Sequence, residues 1–354
     1  MSNGAIFERL TPQLETSALA AWMDGQCLPG GPITGVASLT GGSQNIILRF
    51  TRGERDYVLR RPPANPRPES NETMRREARV LTALAETDVP HPRLIAACGD
   101  ETVLGAAFYL MEPVDGFSAI AAPLPSPHAD DPAMRHAMGI ALVDGAAALA
   151  RVDHRAVGLD TFGKPEGYLE RQVSRWRKQL DGYVGIAGWP GPEGLPGVAA
   201  IGDWLNANRP KGSAAAILHG DYSIGNVMYR RDGPQLAAIV DWELATIGDP
   251  LIDLGWILAT WRDSRDIDIG VLHVEPFDGF PTPEELIERY ASKSGRDVAA
   301  IDWYVVLACF KLAIILEGSF ARARAGVAPM ATGERLHAAA TRLLARALRR
   351  IERV

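Results

Sequence analysis

Cysteine is scarce and scattered. Three occur in 354 residues, Cys27, Cys98 and Cys309, with no C-x-x-C pair. Neither a disulfide framework nor a thiolate zinc site is therefore expected. Positive charge is not in excess: 37 Lys and Arg face 43 Asp and Glu, for a net charge of −6. With a pI of about 5.7, the chain is not expected to be a general nucleic-acid binder. Unbroken apolar runs are missing too. The most apolar stretch, VVLACFKLAIILEGSF (305–320), is interrupted by Lys311 and Glu317. It is shorter than the roughly 20 residues a membrane span needs, so it reads as a buried helix and no membrane partner is expected. The opening MSNGAIFERL has no apolar core and carries Glu8 and Arg9 early, unlike a secretory signal. A reduced, cytoplasmic protein is the expectation.

The composition that remains, 47% hydrophobic and 23% charged, is globular, and the length suits two lobes around a cleft. No internal repeat or long low-complexity run appears. Residues 33–60 read as strands broken by Gly-Gly and by RGERD, followed by the proline-rich loop RPPANPRPE. A helix is expected over about 71–86 and a strand over AAFYLME (106–112). From Pro132 helical patterns dominate, over 132–150, 166–182, 198–208, 284–294, 302–324 and 333–353. The expected division is a β-rich lobe, 1–112, and a helical lobe, 113–354.

The stretch ILHGDYSIGNVMYRRDGPQLAAIVDWELATIGDPLIDLGW (217–256) interrupts the helices. Asp232-Gly233 is a strong hairpin signal. With that pair as the loop, Asn226 falls opposite residue 239, and Asp241 lies two positions on, roughly 7 Å away at strand rise. One amide and one carboxylate suit Mg²⁺ carrying phosphates better than zinc. An Asp, an Asn five residues later and a second Asp beyond a hairpin is the spacing used by phosphoryl transfer. A lone HGD would read as a polar loop ending a core strand, and a zinc hydrolase lacks a second histidine at ligand spacing.

The segment HGDYSIGNVMY…IVDWELATIGDPLIDLGW resembles the signature of the aminoglycoside phosphotransferase-like kinases, a branch of the protein-kinase-like fold. The resemblance covers roughly residues 30–260. YVLRRPP, FGKPEGYLERQVSRW and VDWELATIGDPLIDLGW look most like the branch that includes the kinase-like domain fused to some acyl-CoA dehydrogenases. It implies an α+β fold with a small β-rich N-lobe and a larger helical C-lobe. It also implies an enzyme moving the γ-phosphate of ATP or GTP to a small-molecule hydroxyl. Asp221 would be the base, with Asn226 and Asp241 on Mg²⁺. Glu243 stands between a second-metal contact and a structural role. His219 is expected to order the loop, and Asp253 to tether it.

In YVLR, Val58 and Arg60 share one face, so Arg60 stands where most kinases place Lys. Glu77 lies on the apolar face of the following helix and needs a partner, for which Arg60 is the candidate. Backbone N–H groups at Gly41, Gly42 and Ser43 could cover phosphates, although a plain β-turn fits the same residues. FYLMEPVDG (108–116) looks like the family's hinge, whose Glu112 and Val114 backbone groups would meet the nucleobase.

The acceptor is less legible. The acid-rich 262–288 segment would attract polyamines, as in an aminoglycoside or amino-alcohol phosphotransferase. A basic face of Arg171, Arg175 and Lys178 would suit an acyl-CoA or a hydroxy acid. For both, a solvated charged face is the simpler reading. The branch resemblance implies a hydroxyacyl-CoA or related hydroxy acid. A catalytically silent kinase fold binding nucleotide or acyl-CoA is the alternative of another class. The amphipathic C-terminal stretch reads as packing on the helical lobe rather than as a partner-docking arm.

Overall fold

The computed structural model describes residues 15–39, 45–63, 66–121, 123–263, 265–270 and 272–353. The Gly41, Gly42 and Ser43 expectation lies outside the described residues. The chain forms two compact units, Met1–Asp115 with Ala238–Glu243, and Gly116–Ala237 with Leu244–Val354. It is an α+β protein.

The first unit contains α1 (Thr16–Gly25), β1 (Ile33–Ser38), β2 (Ile46–Arg52), β3 (Arg55–Arg61), α2 (Ser70–Leu84), β4 (Leu94–Cys98) and β5 (Phe108–Met111). The strands form one antiparallel sheet in the order β1-β2-β3-β5-β4. Strand alternation explains its core. Tyr57 and Leu59 point to one face, with Phe50, Phe108 and Leu110, and are covered by Leu19 and Met23 of α1. Val58 and Arg60 occupy the other face. Two elements, α1 and β4, are absent from the sequence expectation. In α1 the two buried anchors stand one turn apart, too few for a periodicity signal.

The second unit holds α3 (Pro132–Arg151), α4 (Glu170–Asp181), α5 (Val198–Ala207), β6 (Ala216–Leu218), β7 (Val227–Tyr229), α6 (Leu251–Thr260), α7 (Pro283–Ser294), α8 (Ile301–Arg324) and α9 (Met330–Ile351). Between β7 and α6 run β8 (Leu236–Ile239) and β9 (Thr246–Gly248). The split between the units falls within β8. β6 and β9 pair antiparallel. The turn before β8 closes with the Arg230 N–H donating to the Gln235 carbonyl at 2.9 Å. This is the register expected from Asp232-Gly233. Asn226, however, belongs to a short 3₁₀ turn, Ile224–Asn226, and not to the strand.

Local signals account for several helix ends. Asp131 caps α3 ahead of Pro132, and Thr282 with Glu285 forms a capping box on α7 ahead of Pro283. α6 was not expected, because its first nine residues, Leu251–Ala259, are all buried. A helix apolar all round shows no amphipathic period. The apolar run 305–320 sits inside α8, a 24-residue helix. On length and composition α8 passes as a membrane span, so the length argument does not hold. Yet 78% of its apolar window is buried within the fold, as in a core helix. α9 packs along α8 with Leu343 and Leu344 fully covered.

Candidate active site

In the first unit, three elements bring charge to one point. β3 supplies Arg60, α2 supplies Glu77 and β5 supplies Tyr109, which the sheet register sets beside Arg60. Arg60 Nε lies 3.0 Å from Glu77 Oε2, and Tyr109 donates its hydroxyl to the same Oε2 at 2.8 Å. The shortest guanidinium contact goes to the Asp241 carboxylate, 2.6 Å from Nη2. Arg60 is 6% and Glu77 1% exposed, so each charge depends on the other. Burial pushes the Glu77 carboxyl up to about 7, aided by Asp241 and Glu243 and opposed by Arg60 and Tyr109. Burial also works against the Arg60 charge. Glu77, Tyr109 and Asp241 outweigh it, so the guanidinium is held charged more firmly than usual.

Asp241 adopts φ +66°, the left-handed region that non-glycine residues avoid. The following Trp242 is buried, with its indole N–H on the Ile239 carbonyl at 2.9 Å. That anchor helps hold a strained backbone at the carboxylate-bearing residue, a pattern typical of functional sites. Glu243 lies in the 3₁₀ turn Trp242–Leu244 and acts electrostatically on Glu77. Glu112 has its side chain on Arg55 at 2.7 Å and its backbone N–H on the Arg93 carbonyl at 2.9 Å. Its N–H is thus committed, which leaves its carbonyl for the expected nucleobase contact. Val114 is half-buried in the segment after β5.

In the second unit, β6 leads into His219-Gly220-Asp221. The buried Asp253 of α6 accepts the His219 N–H at 2.8 Å and the Gly220 N–H at 2.9 Å. Burial raises the Asp253 carboxyl, while His219, the two amides and Lys311 draw it down. Gly220 sits at φ +85°, where an added Cβ would lie 2.6 Å from the Leu244 carbonyl oxygen; no L side chain fits there. His219 is fully buried, and its Nδ1 receives the Asp221 N–H at 3.4 Å. Asn226 donates its side-chain amide to the Asp221 carbonyl oxygen at 2.8 Å and to Asp221 Oδ2 at 2.9 Å. Its Oδ1 is therefore the atom able to face a cation.

Among the described residues, no group of three or more His, Cys, Asp or Glu could hold a metal ion. An amide oxygen such as Asn226 Oδ1 and a carboxylate such as that of Asp241 are each donors of the kind Mg²⁺ takes. The residues present fit that cation and not a structural zinc.

Two charged features look different in three dimensions. Arg171 is tied to the Glu166 and Lys164 carbonyls, and Arg175 stacks on Trp176 at 5.2 Å. In the acid-rich segment, Asp263 and Glu284 pair with Arg265, Glu275 with Arg262, Asp266 with Arg346 and Asp278 with Arg135. Most of the charge counted on either surface is therefore already bonded within the fold.

The sequence reading passed over two groups. Tyr109 needed the β3–β5 register to come beside Arg60. Lys311 had a visible signal, a cation inside an apolar run, which served only as an argument against a membrane span.

The fold and the loop chemistry define a protein-kinase-like phosphotransferase. Residues 36–303 match the model of the phosphotransferase enzyme family APH, and the chain belongs to that family, whose members act on hydroxyl groups. Acyl-CoA dehydrogenase family member 11 of Rattus norvegicus is 30% identical over 323 residues, covering 88% of this chain. The chain spans 40% of the length of that relative. A solved structure from Ralstonia eutropha, described as a candidate aminoglycoside phosphotransferase, is 31% identical with TM-score 0.78, covering 95% of this chain and 99% of that one. The aminoglycoside phosphotransferase APH(4)-Ia, solved with ADP and hygromycin B, shares the fold at 14% identity and TM-score 0.56, covering 91% of this chain and 98% of that one.

Proposed function

We propose that the chain is a cytoplasmic small-molecule kinase that moves the γ-phosphate of ATP, or of GTP, to a substrate hydroxyl. Asp221 is the base. It accepts the hydroxyl proton as the oxygen bonds to phosphorus and the bond to the leaving nucleoside diphosphate breaks. The observation that carries the reading is the pair of bonds from the Asn226 amide to Asp221. One group thereby aims the carboxylate and turns an oxygen toward a cation. Asn226 and Asp241 are the Mg²⁺ donors, and Glu243 is a further carboxylate for a second ion. Bound Mg²⁺ would neutralise phosphate charge. Arg60, fixed by Glu77, sets a permanent cation toward the phosphates. Glu112, through its carbonyl, and Val114 take the nucleobase. Chemistry rests on positioning and fixed charge.

For the acceptor we favour a hydroxyacyl-CoA or hydroxy acid over an aminoglycoside or amino alcohol. The ion-paired carboxylates of 262–288 leave little field for a polyamine, and the relative at 30% identity is an acyl-CoA dehydrogenase family member. The test is ADP release from Mg²⁺-ATP, and again from GTP, across hydroxyacyl-CoAs, hydroxy acids, amino alcohols and aminoglycosides. Asp221→Asn should remove any substrate-dependent signal, and normal turnover in that variant would discard the base. Asp241→Ala should lose Mg²⁺-dependent nucleotide binding. If nucleotide binds and no acceptor in the panel turns over, the catalytically silent reading gains.

A further inference from the structure

α8 buries one face after another, yet it carries Lys311 in mid-helix. An apolar side chain would fill the position without the cost of taking an ammonium out of water. Lys311 Nζ stands 4.2 Å from the centre of the Trp256 ring and 5.5 Å from that of Trp176, two buried indoles on α6 and α4. It donates to the Gly220 carbonyl at 2.8 Å. That carbonyl belongs to the peptide whose nitrogen is that of Asp221. Asp253 holds the Gly220 N–H on the preceding peptide. The left-handed glycine is therefore gripped on both sides, by a carboxylate from α6 and by an ammonium from α8.

We propose that Lys311 is a positioning residue for phosphoryl transfer: it clamps the peptide entering Asp221 and sets a positive charge facing that carboxylate. The proposal rests on Asp221 being the base. Three charged groups face Lys311: Asp221 on the loop, Asp253 on α6 and Arg175 on α4. Burial pushes its ammonium down to about 8; the two carboxylates oppose that push and Arg175 adds to it. The site therefore has its cation below that pH and loses it above. A purely structural lysine would affect melting and leave turnover per folded molecule alone. A positioning lysine holds the peptide that enters Asp221 and sets turnover without setting melting.

The test uses the full chain, with amide hydrogen exchange read at the Asp221 N–H. In Lys311→Met that exchange should speed up about tenfold or more, with the melting temperature retained. With the acceptor found by the panel, kcat should fall about 10- to 100-fold and the nucleotide KM should hold within about twofold. An unchanged Asp221 amide overturns the proposal, as does a kcat loss that only follows the loss of folded protein. If Lys311→Met does not fold, Lys311→Arg decides. Wild-type turnover should drop as pH rises through about 8, and the arginine variant should not; parallel profiles overturn the proposal. Full turnover in Asp221→Asn would remove the base assignment while the amide exchange still reports on Lys311, so the two failures are distinguishable.

Discussion

The two charged centres hold their key residues by different means. Around Arg60 the bonds run side chain to side chain, with the guanidinium meeting Glu77 and Asp241 and the Tyr109 hydroxyl completing the Glu77 carboxylate. Around Gly220 the charged side chains grip backbone, Asp253 taking two amides and Lys311 one carbonyl. The first arrangement fixes where charge sits and the second fixes where the chain runs. A substitution in the first leaves a buried charge without its counterpart. In the second it leaves peptide groups unsatisfied and lets the loop move. The stability of the first centre should therefore respond to pH near neutrality, and the second should respond to backbone geometry and, through Lys311, to pH only near about 8.

Gly220→Ala should produce the largest loss. The residue would need a left-handed conformation costing about 1–2 kcal/mol, and its Cβ would press on the Leu244 backbone, for a total near 3–4 kcal/mol. Chemical denaturation would show this as a lower midpoint, and an unchanged midpoint would remove the geometric reading of the loop. Asp253→Asn comes next. One acceptor of the pair becomes an N–H donor aimed at a backbone N–H, which should cost about 2–3 kcal/mol. Turnover should fall further than the folded fraction does, because the loop carrying Asp221 is released. Loss of stability with turnover per folded molecule unchanged would show that Asp253 serves the core alone.

Glu77→Gln tests the other centre through pH. The Glu77 carboxyl is raised to about 7 from an ordinary 4.5, so the fold favours its protonated form. That contribution to stability is complete below the unfolded value and is lost as pH rises through about 7. The stability of wild type relative to Glu77→Gln should therefore shrink between about pH 5 and about pH 8. A constant difference across that range would mean Arg60 holds Glu77 ionised throughout.

How far the sequence carried this picture differs between the centres for the same reason. Asp221, Asn226, Asp241 and the register of the hairpin lie within one short segment, where turn chemistry and spacing are local. Arg60 and Glu77 were reachable because strand and helix periods each put them on a core-facing side. Tyr109 was not, because its place depends on how β5 pairs with β3. Lys311 lies far along the chain from Gly220, and no local period could bring the two together. α1 and α6 escaped notice for opposite reasons, one with too few buried positions and the other with too many. The expectation for Gly41, Gly42 and Ser43 lies outside the described residues, and the pairing within the charged surfaces was not legible because a charge count carries no pairing information.

The smallest effect, and the sharpest probe of the side-chain centre, is Tyr109→Phe. The change removes one hydroxyl from a buried carboxylate that keeps its arginine. It should cost about 1 kcal/mol at neutral pH. The hydroxyl bond favours the ionised carboxylate, so its loss should push the Glu77 titration upward. The cost should then fade as pH drops below about 7 and Glu77 becomes protonated, because a neutral carboxyl gains less from that donor. Stability curves of the variant and wild type at several pH values would show the gap closing on the acidic side. A gap that stays constant with pH would assign the Tyr109 hydroxyl to packing, and the pH sensitivity of the first centre would then belong to Arg60 and Glu77 alone.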